Sequence, residues 1–234
     1  MLPTERGIRR IVVAGLLLAI TLLLAFTPQV GFIAVPTPAG SATIAHIPAM
    51  IGGILEGPLV GLIVGLGFGF ASWSRGTIPA FRDPLVAIMP RLFIGPVAWW
   101  VFTVLRRARV GTLMGMLVVL LALLLAFSYQ VAGQTLWLGI LIGVVAIAAA
   151  VFLFVWVRRE EAIIVSLSVA GAAGSLTNTA LVLSAATLLK YWSADVSWGI
   201  AITHGIPEMF VSAVITAAVV AAIRQLGARR GSRL

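Results

Sequence analysis

Cysteine is absent from the chain, which excludes disulfides and thiolate metal sites. Charge is scarce as well: Asp, Glu, Lys and Arg make up 10% of the 234 residues, where a soluble domain carries about a quarter. So few charges cannot cover a folded core with a polar surface, and much of the outer surface must face lipid. Lysine occurs once, as Lys190. A P-loop needs Gly-Lys followed by Ser or Thr to reach phosphates, so the chain has no such loop for ATP. It also lacks the Gly-x-Ser-x-Gly nucleophile elbow and the His-Glu-x-x-His metal motif. No charged series runs through the apolar segments as a proton relay would.

What is present is apolar. Hydrophobic residues make up 61% of the chain and the mean hydropathy is +1.14. A bilayer core of about 30 Å takes about 20 apolar residues per helix. Runs of that order lie at 8–26, 85–105, 112–128, 135–157, 162–189 and 198–226. They are continuous and do not alternate, which favours helices over a barrel. Two shorter runs, 43–55 and 58–73, flank Glu56-Gly57-Pro58, where the chain turns. These two either both cross or dip in and return; the sequence leaves both open. The expectation is an all-α integral membrane protein of about eight helices. Between 27 and 42, Pro28, Pro36 and Pro38 block helix and predict a loop.

The net charge of +9 does not point to nucleic acid, because the arginines form short clusters between apolar runs. That is a topology signal. With the N-terminus inside, the inner segments hold Arg6, Arg9, Arg10, Arg106, Arg107, Arg109, Arg158, Arg159, Arg224, Arg229, Arg230 and Arg233. The outer loops hold only Arg75, Arg82 and Lys190. Both termini are therefore expected in the cytoplasm. The apolar run after Arg10 is long for a signal-peptide core and no small-x-small cleavage site follows it, so it reads as an uncleaved first span. Trp73, Tyr129, Tyr191, Trp192 and Trp198 then mark the outer interface and Trp156 the inner one.

Few polar residues interrupt the spans, and such residues face a cavity or a partner. They are His46, Arg91, Thr177, Asn178, His204 and Glu208. His204 and Glu208 are four apart and share a helix face. On the arginine-based topology all six fall in the outer half of the membrane, which describes a substrate pocket open to the outside. Simpler roles stand beside this one. Arg91 and Glu208 could pair with each other, His204 and Glu208 could hold a metal if a third ligand existed, and His46 could bond locally. No metal or cofactor is expected. Small residues also recur at helical spacing, as Gly61, Gly65 and Gly69, as Gly15 and Ala19, and as Ala170 and Gly174. Such stripes let helices approach closely in lipid, within the chain or against another subunit.

Several segments resemble the substrate-binding (S) components of energy-coupling factor (ECF) vitamin transporters. They are Gly31 to Pro36, Ala42 to Pro48, Leu55-Glu-Gly-Pro-Leu-Val-Gly61 and Pro90-Arg-Leu-Phe-Ile-Gly95. Gly174-Ser-Leu-Thr-Asn-Thr179 and Gly205-Ile-Pro-Glu208 look most like the pantothenate branch. The resemblance implies a single membrane domain with a six-helix core, in which residues 110–160 form an extra inserted hairpin. It implies a vitamin captured from outside, with pantothenate first. Another vitamin or precursor (cobalamin, hydroxymethylpyrimidine, a queuosine precursor) is the alternative, and so is a self-sufficient proton-coupled secondary transporter. The implied partners are a membrane coupling subunit and two cytoplasmic ATPases, in the plasma membrane of a prokaryote. Docking in that family uses small residues on helix 1, here Gly15 and Ala19. The implied role is transport, not catalysis.

Overall fold

The computed structural model describes residues 3–27, 31–37, 40–107 and 162–231, with scattered positions between 111 and 155. Those residues form two compact units, 1–103 with 167–234, and 104–166.

In the first unit, helix α1 (Pro3–Phe26) is an apolar rod. At its C-terminus the Arg75 guanidinium donates to the Ala25 carbonyl at 2.7 Å, which satisfies one of the carbonyls a helix end leaves open. Strands β1 (Phe32–Thr37) and β2 (Gly40–Thr43) follow as an antiparallel hairpin. Phe32 pairs with Thr43 and Ala34 with Ser41, and the register is irregular between Ala34 and Thr37. Pro36 lies in that irregular stretch and has no N–H for the ladder. Within the loop expected over 27–42, the described residues 32–37 and 40–43 are thus corrected to paired strands. Proline blocks a helix there, but a two-stranded ribbon has open edges that tolerate it.

Helix α2 (Ile47–Glu56) starts later than the apolar pattern suggested and ends at Gly57, whose φ of 102° suits glycine. Pro58 then opens α3 (Pro58–Arg75). At 1.5 Å per residue α2 reaches about 15 Å, half a bilayer core, so it cannot cross as a helix by itself. A 3-10 turn (Pro79–Arg82) leads to the short α4 (Pro84–Ala87), where the Asp83 carboxylate accepts from the Leu85 N–H at 2.9 Å. Helix α5 (Met89–Leu105) completes this part. Beyond residue 161 come α6 (Ala162–Leu188), α7 (Ala194–Ile200), a π-helical turn (Ala201–Gly205) and α8 (Ile206–Gly231). Pro207 lies two residues past the end of that turn. It offers no N–H to the preceding carbonyls, so a widened turn there has a local cause.

Glycines determine how closely α2, α3 and α5 approach. A Cβ on Gly61 would meet the Gly95 Cα at 2.8 Å and the Gly53 Cα at 2.9 Å. One on Gly65 would run into the Arg91 carbonyl, and one on Gly69 would lie 2.9 Å from the Ile88 Cα. The α3 stripe is therefore internal packing. Gly174 does the same against Met50, at 2.5 Å from its sulfur. Gly15 has nothing within 4 Å of its notional Cβ, and Ala19 beside it is exposed.

At the end of the bundle where α1 begins, Glu56 is held twice. Arg9 Nη2 pairs with its carboxylate at 2.8 Å, and Arg10 donates to its carbonyl through Nε and Nη2 at 3.0 and 2.6 Å. Two cations thus cap the C-terminus of α2, where the helix dipole is negative.

Four described helices are long and apolar enough to cross a membrane: Gly7–Phe26, Pro84–Leu105, Ala162–Leu188 and Ala194–Gln225. In the second unit the described positions Val118, Leu125, Leu136, Ile140 and Val144 are helical and exposed. Most of the hairpin expected over 110–160 lies outside the described residues.

Candidate functional site

A cavity of about 80 Å³ is lined by residues from β2, α3, α5, α6, the π turn and α8. Four of the six polar residues singled out in the sequence line it: Arg91, Asn178, His204 and Glu208. Each arrives by a local rule. Arg91 is the third residue of α5, after Pro90, where α5 meets the glycine stripe of α3. Asn178 shares its face of α6 with Val182, one turn on, which also lines the cavity. His204 is carried by the π turn, and Glu208 lies in the first turn of α8.

Arg91 is 3% exposed and is held from several sides. Its Nη1 donates to the Val86 carbonyl, and Nη2 lies 3.5 Å from the Ser72 hydroxyl. The guanidinium carbon lies 5.5 Å from the Phe68 ring centre and 5.0 Å from that of Phe81, within cation–π range. Its Nε has no hydrogen-bond partner. Arg91 and Glu208 do not close an ion pair with each other. The Glu208 carboxylate instead accepts from the Thr43 N–H at 2.6 Å. That bond ties the base of the hairpin to α8. Thr43 is itself anchored, its hydroxyl donating to the Gly31 carbonyl at 3.0 Å and accepting from the Ala45 N–H at 3.1 Å.

Asn178 is 6% exposed and its Oδ1 also lacks a partner. A buried amide oxygen and a buried guanidinium N–H left unpaired are costly in a low-dielectric interior. Both residues line the same cavity, so a ligand with an acceptor for Arg91 and a donor for Asn178 would satisfy both. His204 lies beside Thr203, whose hydroxyl is 3.3 Å from its Nδ1. Among the described residues no group of three His, Asp or Glu side chains is placed to hold a metal.

Two of the six residues sit elsewhere. His46 is fully buried just before α2, with Nε2 2.9 Å from the Ser212 hydroxyl. It does not line the cavity. Thr177 donates to the Ala173 carbonyl of its own helix at 2.7 Å, and the cavity wall takes Thr179 instead. Sequence reasoning missed Thr43, Phe68, Ser72, Phe81 and Thr179 as lining residues, and read Trp192 only as an interface marker. A helical period counted from Asn178 would have favoured position 182, and does not separate 179 from 177. Nothing local in the sequence marks Thr43, which contributes a backbone N–H.

Trp192 and Phe81 also pack on a small apolar cluster of Ala80, Val86, Val182 and Ala186. Nearby, the Tyr191 hydroxyl donates to the Asp83 carboxylate at 3.3 Å. Partial burial, then that carboxylate, raises the Tyr191 phenol above its ordinary pKa.

Residues 9–110 match the family model described as ECF transporter, substrate-specific component. Comparison with curated proteins gives no match. The family match covers α1 to α5 and so includes Thr43, Phe68, Ser72, Phe81 and Arg91 of the cavity wall. That match spans less than half of the chain. The wall contributed by α6, the π turn and α8 lies beyond the matched residues.

Proposed function

We propose that the chain is the substrate-binding component of an ECF importer, and that it captures a small anionic vitamin, pantothenate first. The observation that carries this reading is the pair of buried, unpaired polar atoms on Arg91 and Asn178 in one cavity with His204 and Glu208. Because Glu208 is engaged by the hairpin backbone, a ligand carboxylate supplies the counter-charge for Arg91. A ligand amide N–H meets Asn178 Oδ1. His46, bonded to Ser212, acts as a support for the site.

In this reading, which the arginine clusters support, the cavity faces the outside and the Arg9–Arg10–Glu56 clasp faces the cytoplasm. The exposed face of α1 around Gly15 and Ala19 then meets the coupling subunit, which two cytoplasmic ATPases drive. Small residues on an open helix face suit close helix–helix contact in lipid. The chain is a multi-pass protein of a prokaryotic plasma membrane in this reading, with no chemistry of its own.

The test is direct. Protein purified from a vitamin-replete host is denatured, and the released small molecules are identified by mass spectrometry. The expected result is one vitamin-sized anion, rebinding without ATP, with Arg91→Ala or Asn178→Ala weakening it at least about tenfold. Failure to bind any water-soluble vitamin at micromolar levels would overturn the reading.

A further inference from the structure

A neighbouring space shares part of its wall with the polar cavity. Thr179 and Leu183 of α6 line the cavity and also line this second, larger space of about 590 Å³ between α6 and α7. The walls of this groove are mainly apolar, with Leu176, Ala180, Leu183 and Leu188 on one side and Trp198 and Ala201 on the other. Its two helices are pinned to each other, since the Thr187 and Ser197 hydroxyls lie 2.6 Å apart. The polar cavity measures about 80 Å³, so a vitamin-sized ligand extends beyond it.

We propose that the ligand site continues from the polar cavity into this groove, so that the chain also accepts anionic amides carrying an apolar arm longer than that of pantothenate. The proposal rests on the anionic-ligand reading above. A bilayer acyl chain could also lie against these apolar walls. It would leave Asn178 Oδ1 and Arg91 Nε unpaired, whereas an anionic amide satisfies both and places its far end past Thr179 and Leu183. Adjacency of the two spaces at those shared residues therefore favours the ligand's own arm as the occupant.

The probe is a homologous series, N-acetyl-, N-butanoyl-, N-hexanoyl- and N-octanoyl-β-alanine. Each keeps the carboxylate and the amide and changes only the arm. Affinities are measured on the full chain in nanodiscs, with empty nanodiscs correcting for partition into lipid. Each fully buried methylene is worth at most about fourfold, so the octanoyl member should bind at least about tenfold more tightly than the acetyl member. Ala180→Trp, on an exposed position of α6, fills the groove and should bring the octanoyl member back to the affinity of the acetyl member. Ala201→Phe fills it from the opposite wall if the first variant does not fold. A flat series in the unmodified protein, with Arg91→Gln still weakening every member, overturns the extension alone and assigns the groove to membrane lipid. A rising series that survives both filling variants overturns it too. If no member binds, or if Arg91→Gln changes nothing, the anionic-ligand reading falls first and the extension with it.

Discussion

Two stripes of small residues share one spacing and have opposite surroundings. Gly61 and Gly65 on α3 lie against the backbone of α5, and Gly69 against Ile88 just before it, with no room for a Cβ. Gly15 on α1 meets nothing within 4 Å, and its neighbours Ile11, Val12, Leu16, Leu23 and Phe26 are all more than half exposed. A small-x-x-x-small pattern therefore says that close approach is possible and does not say to what. The α3 stripe is used up inside the chain. The α1 stripe remains on the surface, and under the proposed function it is the face that meets a partner.

The largest expected effect comes from closing the internal stripe. Gly61→Val drives side-chain atoms into the Gly95 and Gly53 backbones, and overpacking of this kind costs about 2–3 kcal/mol. Thermal unfolding in detergent should show a clear drop in midpoint and in monodisperse yield. An unchanged midpoint would remove the contrast between the stripes. Gly15→Leu should do the reverse. Stability should stay within about 0.5 kcal/mol, while vitamin uptake with the coupling module falls at least about tenfold, near 1.4 kcal/mol. Equal uptake by Gly15→Leu and the unmodified chain would deny the open stripe its docking role.

Smaller effects sharpen the same comparison on the two sides of α1. Thr21 faces inward, fully buried, with a hydroxyl that has no partner. Thr21→Val keeps the shape and removes the unpaired group, so stability should hold or rise by about 0.5–1 kcal/mol; a loss of that size would show that the hydroxyl is bonded after all. The smallest change is expected from Arg9→Ala. Its ion pair with Glu56 is half exposed on the arginine side, so the loss should not exceed about 1 kcal/mol. A larger loss would mean that the clasp, and not the glycine contacts, sets the position of α1.

Much of the fold was legible because lipid imposes a coarse rule, about 20 apolar residues per span. The boundaries of α1, α3, α5 and α6 follow from it within a few residues. The hairpin over 32–43 was not legible. Proline there excludes helix, and two strands as short as 32–37 and 40–43 leave no clear period. The site divides the same way. Arg91, Asn178, His204 and Glu208 stood out because charge and amides are expensive among apolar residues, and the structure brings these four to one cavity. His46 stood out for the same reason and is placed against Ser212 instead, since cost alone does not say which partner meets it. Thr43 could not be seen at all, because its contribution is a main-chain N–H and any residue carries one.

The central claim is that this chain captures a ligand and depends on another module to carry it across. Uptake of radiolabelled pantothenate into proteoliposomes tests it most directly. The chain alone should bind the label and accumulate none, with or without a pH gradient, and accumulation should appear when the coupling subunit, its ATPases and ATP are added. Accumulation by the chain alone, driven by the pH gradient, would contradict the account and make it a transporter in its own right.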